Sequence, residues 1–265
     1  MDTHFELSNR MFLSSELEKV VARIQLAHAK SFDFAWRLNE LAHQALFGTK
    51  ADPQHLQQLL LVTLEHRALT SYQGVVLLAE RGLPSEAQVV LRTLLEVTFR
   101  IVAIAKNEDV GRAYVLEDQL HRRKFINKYK LLDEELRTEV SEAVLNDLKA
   151  AIDQKINDQD IKELKIQWFA KRAGLESFYN SAYAVLSESV HVNSRSLQSA
   201  LSLDDDDNLV ALDYGPNDRD LDDHIYTAAE ALFLSLRAVY SVIDTYYASQ
   251  IEQLHEELKR DYHTS

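Results

Sequence analysis

Only six glycines and three prolines punctuate this 265-residue chain. A sheet protein of such length needs many tight turns. Those turns draw on glycine for positive φ and on proline for a preset φ. A chain so poor in both is expected to run in long helices joined by few loops. The apolar pattern agrees, since hydrophobic residues recur three and four apart over most of the length.

Leu17, Val20, Ile24, Ala27, Ala35, Leu38, Ala42 and Leu46 trace one long or broken helix over about 15–47, with Ser15 and Glu18 spaced as a capping box. Asp52 and Pro53 are placed to open a second helix that stops at Gly82. Ser85 is the expected cap of a third helix over 85–106, and Asp109 starts a fourth. A more polar helix over 133–156, a short one holding Trp168 and Phe169, one from Leu175 to about His191 and a last one from Asp220 to about Lys259 complete the pattern. The expectation is an all-α bundle of about seven or eight helices. No repeat and no Gly/Ser-rich linker divides it, so residues 1–265 read as a single domain. Its one long irregular stretch is an acidic loop over 192–220, holding Asp204–Asp207 and Tyr214-Gly215-Pro216.

Composition narrows the chemistry. Without cysteine the chain can make no disulfide, no thiolate metal site and no thiol nucleophile. The first residues lack a basic start followed by an apolar run, and no stretch approaches the ~18 apolar residues that span a bilayer, so a cytoplasmic protein with no membrane partner is expected. A formal net charge of −13 disfavours RNA or DNA on average, while leaving room for a local basic patch. The apolar stripe of the last helix, through Leu232, Leu236, Val239 and Ile243 and on to Tyr246, Tyr247 and Ile251, looks longer than a compact bundle would cover. A homo-oligomer, expected as a dimer using the first or last helix, follows from that.

The segment Glu86–Lys106 is the most informative. Val89, Val90, Leu91, Leu94, Leu95, Val97, Phe99, Ile101, Val102 and Ile104 cover nearly its whole circumference, as in a helix buried amid others. Yet Gln88, Arg92, Glu96 and Arg100 lie four apart and form one row. Charges on a buried helix must be paired, and two arginines against one glutamate leave a positive excess. Either Glu65, Glu230 or Asp244 completes a structural network from neighbouring helices, or the row holds a small anionic or phosphate-containing ligand.

Gly82-Leu83, Glu86-Ala87 and Leu91-Arg92-Thr93-Leu94-Leu95-Glu96, together with the later Ser187-Glu188-Ser189-Val190-His191, resemble a bacterial all-helical domain family of unknown function. That family carries an Arg-x3-Glu helix and a later Ser-x-x-His-like segment. The resemblance covers roughly 55–245. It implies that Arg92, Glu96 and His191 are the positions to watch, and it implies an association with bacterial defence or mobile-element systems without supplying a reaction. Arg100, Ser187 and Asn193 are the neighbouring ligand-binding candidates. A histidine, a carboxylate and an arginine in one pocket can do acid–base work on a phosphate ester. The reading is therefore an interaction, sensor or effector component with an anion-binding pocket. The alternative is a metal-independent hydrolase, such as an RNase of HEPN-like fold, using the same residues.

Other motifs carry less. Arg23-x4-His28 and Arg37-x5-His43 match the HEPN nuclease spacing, but sixteen arginines and ten histidines give about two such pairs by chance. His121-Arg122-Arg123-Lys124, with Lys128 and Lys130, reads as a solvated basic face with the acidic loop as a candidate partner. Asp204–Asp207 lacks the spaced ligands of a calcium loop. No phosphate loop, zinc motif or serine elbow is present, so neither a metal nor a cofactor is expected.

Overall fold

In the computed structural model, which describes residues 11–133, 141–190, 201–204, 208–212 and 215–263, the first helical tract breaks at His28. There α1 (Leu17–Ala27) gives way to α2 (Ala29–Gly48). The His28 ring spans two carboxylates, with Nδ1 2.9 Å from Asp222 and Nε2 3.2 Å from Asp218, so the break is tied to a distant part of the chain. Ser15 and Glu18 form no capping box; Ser14 Oγ instead accepts the N–H of Glu16.

Asp52 does not cap the next helix. Its carboxylate accepts the N–H of Gln54 and its carbonyl that of His55, an Asx-type turn that delays α3 (Leu56–Glu80) by three residues. Gly82 ends α3 as expected, at φ +69°, with Leu83 N–H returning to Leu78 O. A Cβ there would lie 2.7 Å from Pro216, so the close packing of that loop adds a second reason for glycine. α4 (Pro84–Lys106) begins on Pro84 rather than after a Ser85 cap. Asn107 caps α5 (Glu108–Lys130) by accepting from Asp109 N–H. α6 (Glu142–Asp158) and α7 (Ile166–Ala173) follow. α8 (Glu176–Phe178) runs through a π-helical turn, Tyr179–Tyr183, into α9 (Ala184–Val190).

The expected irregular stretch contains a small hairpin. Leu201–Leu203 (β1) and Leu209–Leu212 (β2) pair antiparallel, Leu201 opposite Leu212, with a bulge after Ser202. The last helix is also two helices rather than one. α10 (Leu221–Val239) stops at Tyr240, and α11 (Ala248–His263) folds back on it, burying Ile251, Leu254 and Leu258. Of the apolar stripe beyond Val239, Ile243 and Ile251 are buried in the core and Tyr247 packs against it, while Tyr246 stays exposed.

α4 is central as its all-round apolar pattern requires. It packs on α3, α10, α7 and α9, and Leu91, Leu94, Leu95, Phe99, Ile101 and Ile104 are fully buried. Its buried Thr98 hydroxyl is satisfied by Leu94 O and by Ser235 of α10, each at 3.0 Å. One hydrophobic cluster takes residues from Leu17 to Leu258. Among the described residues no helix is long and apolar enough to cross a membrane.

Candidate functional site

The polar row of α4 emerges where α9 and the π-helical turn cross it. Arg92 uses every edge of its guanidinium. Nη1 pairs with Glu96 Oε1 at 2.9 Å, Nη2 donates to the Tyr183 hydroxyl at 2.8 Å, and Nε donates to Ser187 Oγ at 3.2 Å. Tyr183 in turn donates to Glu96 Oε1 at 3.0 Å, and Ser187 donates to the Tyr183 carbonyl at 2.8 Å. Arg100 approaches Glu96 from the other side, with Nη1 3.0 Å from the Glu96 carbonyl and 3.4 Å from Oε2. Its guanidinium lies over the rings of Phe169 at 5.3 Å and Tyr114 at 6.0 Å. At the opposite end of the row the Gln88 amide is 3.1 Å from Nε2 of His224.

Local sequence explains the placement. Tyr183 and Ser187 are four residues apart, so a helix sets both on one face. The π-helical turn, of which Tyr183 is the last residue, inserts one extra residue ahead of α9 and rotates all that follows by about 100°. Aromatic packing holds that turn in place: Tyr179 stacks on Tyr183 at 5.0 Å, and both rings meet the buried Phe99 of α4.

The side chains of Arg92, Glu96 and Arg100 are 27%, 23% and 23% exposed, so solvent and solutes reach them. The cluster carries two cations against one anion. Burial, and then the Glu96 carboxylate beside it, push the Tyr183 phenol above its ordinary pKa, so it stays a hydrogen-bond donor. Burial holds His224 below the usual histidine value against the pull of Asp220 and Asp223, and its Nδ1 has no hydrogen-bond partner among the described residues. Glu96 accepts from two guanidiniums and a phenol, so both of its carboxylate oxygens are engaged within the row.

Arg92, Glu96, Arg100 and Ser187 thus come together. His191 and Asn193 lie outside the described residues. Tyr183, Tyr114, Phe169 and His224 join the row without having been singled out in the sequence. The i, i+4 spacing to Ser187 was a usable signal for Tyr183; the others are brought in by packing alone. The acids expected to complete a structural network do not reach the row. Glu65 partners Tyr240, Glu230 partners His255, and Asp244 lines a separate cavity of about 350 Å³ with Lys50 and Gln58.

The remaining motifs are engaged elsewhere. Arg37 donates to both oxygens of Glu257 at 2.6 and 2.7 Å, while His43 meets Gln73 and stacks on Phe47. Within the basic run, among the described residues, Arg122 pairs with Asp118, Arg123 with Asp153 and Lys124 with Glu163. Asp204 receives the Asn208 N–H across the hairpin turn, and Asp205–Asp207 lie outside the described residues. Among the described residues no three His, Asp or Glu side chains gather as metal ligands would.

A family model described as a family of unknown function (DUF5677) matches residues 58–209. No curated protein and no solved structure matches. The matched stretch opens in the first turn of α3 and ends on β2. It takes in α4, the π-helical turn and α9, and leaves α10 with His224 outside.

Proposed function

Since this chain belongs to the family of unknown function DUF5677, we propose that its α4 row is a binding site for a small anion, in a protein that senses or interacts rather than catalyses. The observation that carries this reading is the uneven charge of the row. Arg92 and Arg100 share one carboxylate, and Arg100 Nε and Nη2 make no hydrogen bond among the described residues. The free Nε–H and Nη2–H edge of a guanidinium that lies against the Phe169 and Tyr114 rings offers a planar fork of the kind that takes a phosphate or carboxylate in two parallel bonds.

The hydrolase reading has less support. Ser187 donates back into its own helix, and the described groups around it include no free base. The single-domain organisation over 1–265 belongs to the same proposal, favoured by one hydrophobic cluster drawn from both ends of the chain. A cytoplasmic role in defence or stress, with His191 and Asn193 completing the pocket, is its widest form.

Thermal melts at constant ionic strength test the proposal with inorganic phosphate, sulfate and a nucleoside monophosphate against chloride. A ligand at 100 times its Kd adds about 2.7 kcal/mol. At least one of these anions should raise the melting temperature, and Arg100→Gln should reduce the rise to the general salt effect. The variant also separates binding from the general stabilisation that phosphate and sulfate give any folded protein. Equal shifts in wild type and variant, or none, would overturn the reading.

A further inference from the structure

The arm formed by α5 and α6 is packed differently from everything else. The principal neighbour of α6 is α5. The residues buried between them, Leu120, Ile126, Leu145 and Ile156, form a seam apart from the main hydrophobic cluster. A pair of helices held by so thin a seam is marginal in water. Near the tip of the arm, moreover, Phe125 is 69% and Leu131 84% exposed, and Val144 and Leu148 are half-exposed. Apolar side chains gathered at one place on a surface mark an interaction site.

Charge says what covers it. Residues 121–130 carry five lysines and arginines with no acid, whereas α6 carries four acids against two lysines. Part of this charge is used inside the protomer, through Arg123 with Asp153 and Lys124 with Glu163. Lys128, Glu142 and Asp147, close to the exposed apolar residues in sequence, make no ion pair there among the described residues. A second α5 against this α5 would set cations on cations. A second α6 against it joins opposite signs.

We propose that the α5–α6 arm is a self-association surface: two copies lie side by side with their tips together, each α5 flanked by its own α6 and by the partner's. This is an up-down-up-down four-helix bundle about a twofold axis along the arms. The axis runs along the arms because the exposed apolar residues concentrate at the tip; a head-to-tail arrangement would leave them facing polar helix. The contact is small, on the order of 1,000 Å² in total, which places it among weak interfaces. A Kd on the order of 10 µM is expected. It does not depend on the anion site.

Light scattering at about 100 µM should give a dimer mass for wild type. Phe125→Glu should give a monomer with unchanged circular dichroism, because that side chain is exposed in the single chain. Lys128→Glu alone and Asp147→Lys alone should each weaken the dimer at least tenfold, the first opposing acid to acid and the second base to base. Mixing those two variants should restore it as a heterodimer, since both cross-contacts then have opposite signs. A monomeric wild type, a dimer indifferent to these changes, or variants that fail to recover on mixing would each overturn the proposal.

Discussion

Two glutamates of the same core live in opposite conditions. Glu96 on α4 is about a quarter exposed and straddled by Arg92 and Arg100. Glu65 on α3 is fully buried and, among the described residues, accepts only the Tyr240 hydroxyl at 2.7 Å and leaves Oε2 without a partner. Burial pushes the Glu65 carboxyl up to about 7, against the smaller downward pull of the Tyr240 bond. Tyr240 is itself pushed up by burial and by Glu65. The contrast separates two uses of a buried acid. Glu96 organises cations that remain reachable from outside, as the proposed anion site requires. Glu65 sits in a closed apolar setting, where the neutral acid is the comfortable form.

The largest expected effect comes from Glu65→Gln. Unfolded, Glu65 loses its proton near 4.5; folded, near 7. Between those values the folded state holds a proton that the unfolded state has released. Its contribution to stability is therefore greatest below pH 4.5 and declines as pH rises towards 7 and just beyond. The amide removes that decline. Glu65→Gln should stabilise the protein at pH 8 by up to about 3 kcal/mol and have little effect at pH 4.5. Denaturant melts at the two pH values measure it, and a gain that does not grow with pH breaks the contrast.

Glu96→Gln should act in the opposite direction. It strands two guanidiniums on adjacent turns of one helix, at a cost of about 2 kcal/mol, below the figure for a fully buried pair because the groups are partly hydrated. That cost should shrink at high salt. A gain in stability, as expected for Glu65→Gln, or a loss indifferent to salt would show that Glu96 is not held as a charge between the two arginines.

Tyr183→Phe is the finest test. It removes the hydroxyl that joins Arg92 to Glu96 and should cost about 1 kcal/mol with the fold intact. An unchanged denaturation midpoint would mean that water replaces the phenol and that the row is held by its ion pairs alone.

How much of this was legible depends on the range of each signal. The polar row could be read because residues four apart share a helix face whatever surrounds the helix. Ser187 was reached through the family resemblance, and Tyr183 lay within reach by its spacing to Ser187. The Asp52 cap was misplaced because the same carboxylate serves an Asx turn as readily as a helix start. The break after Val239 carries no glycine or proline to announce it; Ser241-Val242-Ile243-Asp244-Thr245 is only a mildly poor helix former. The β1–β2 hairpin was missed because strands of three and four residues show too little alternation to stand out.

By itself, then, the sequence determined the all-α class, the central position of α4 and the spacing of Arg92, Glu96 and Arg100, since all three follow from local periodicity and from the scarcity of turn-forming residues. Tertiary structure alone decided which groups meet that row. Tyr183 reaches Arg92 from 91 residues away, and Gln88 finds His224 across 136. It also decided that Glu65 faces Tyr240 and not the arginines, which lie on another helix of the same core. Side-chain periodicity reports which way a residue points along its own helix. What lies opposite depends on how helices far apart in the chain are packed, and no local pattern carries that information.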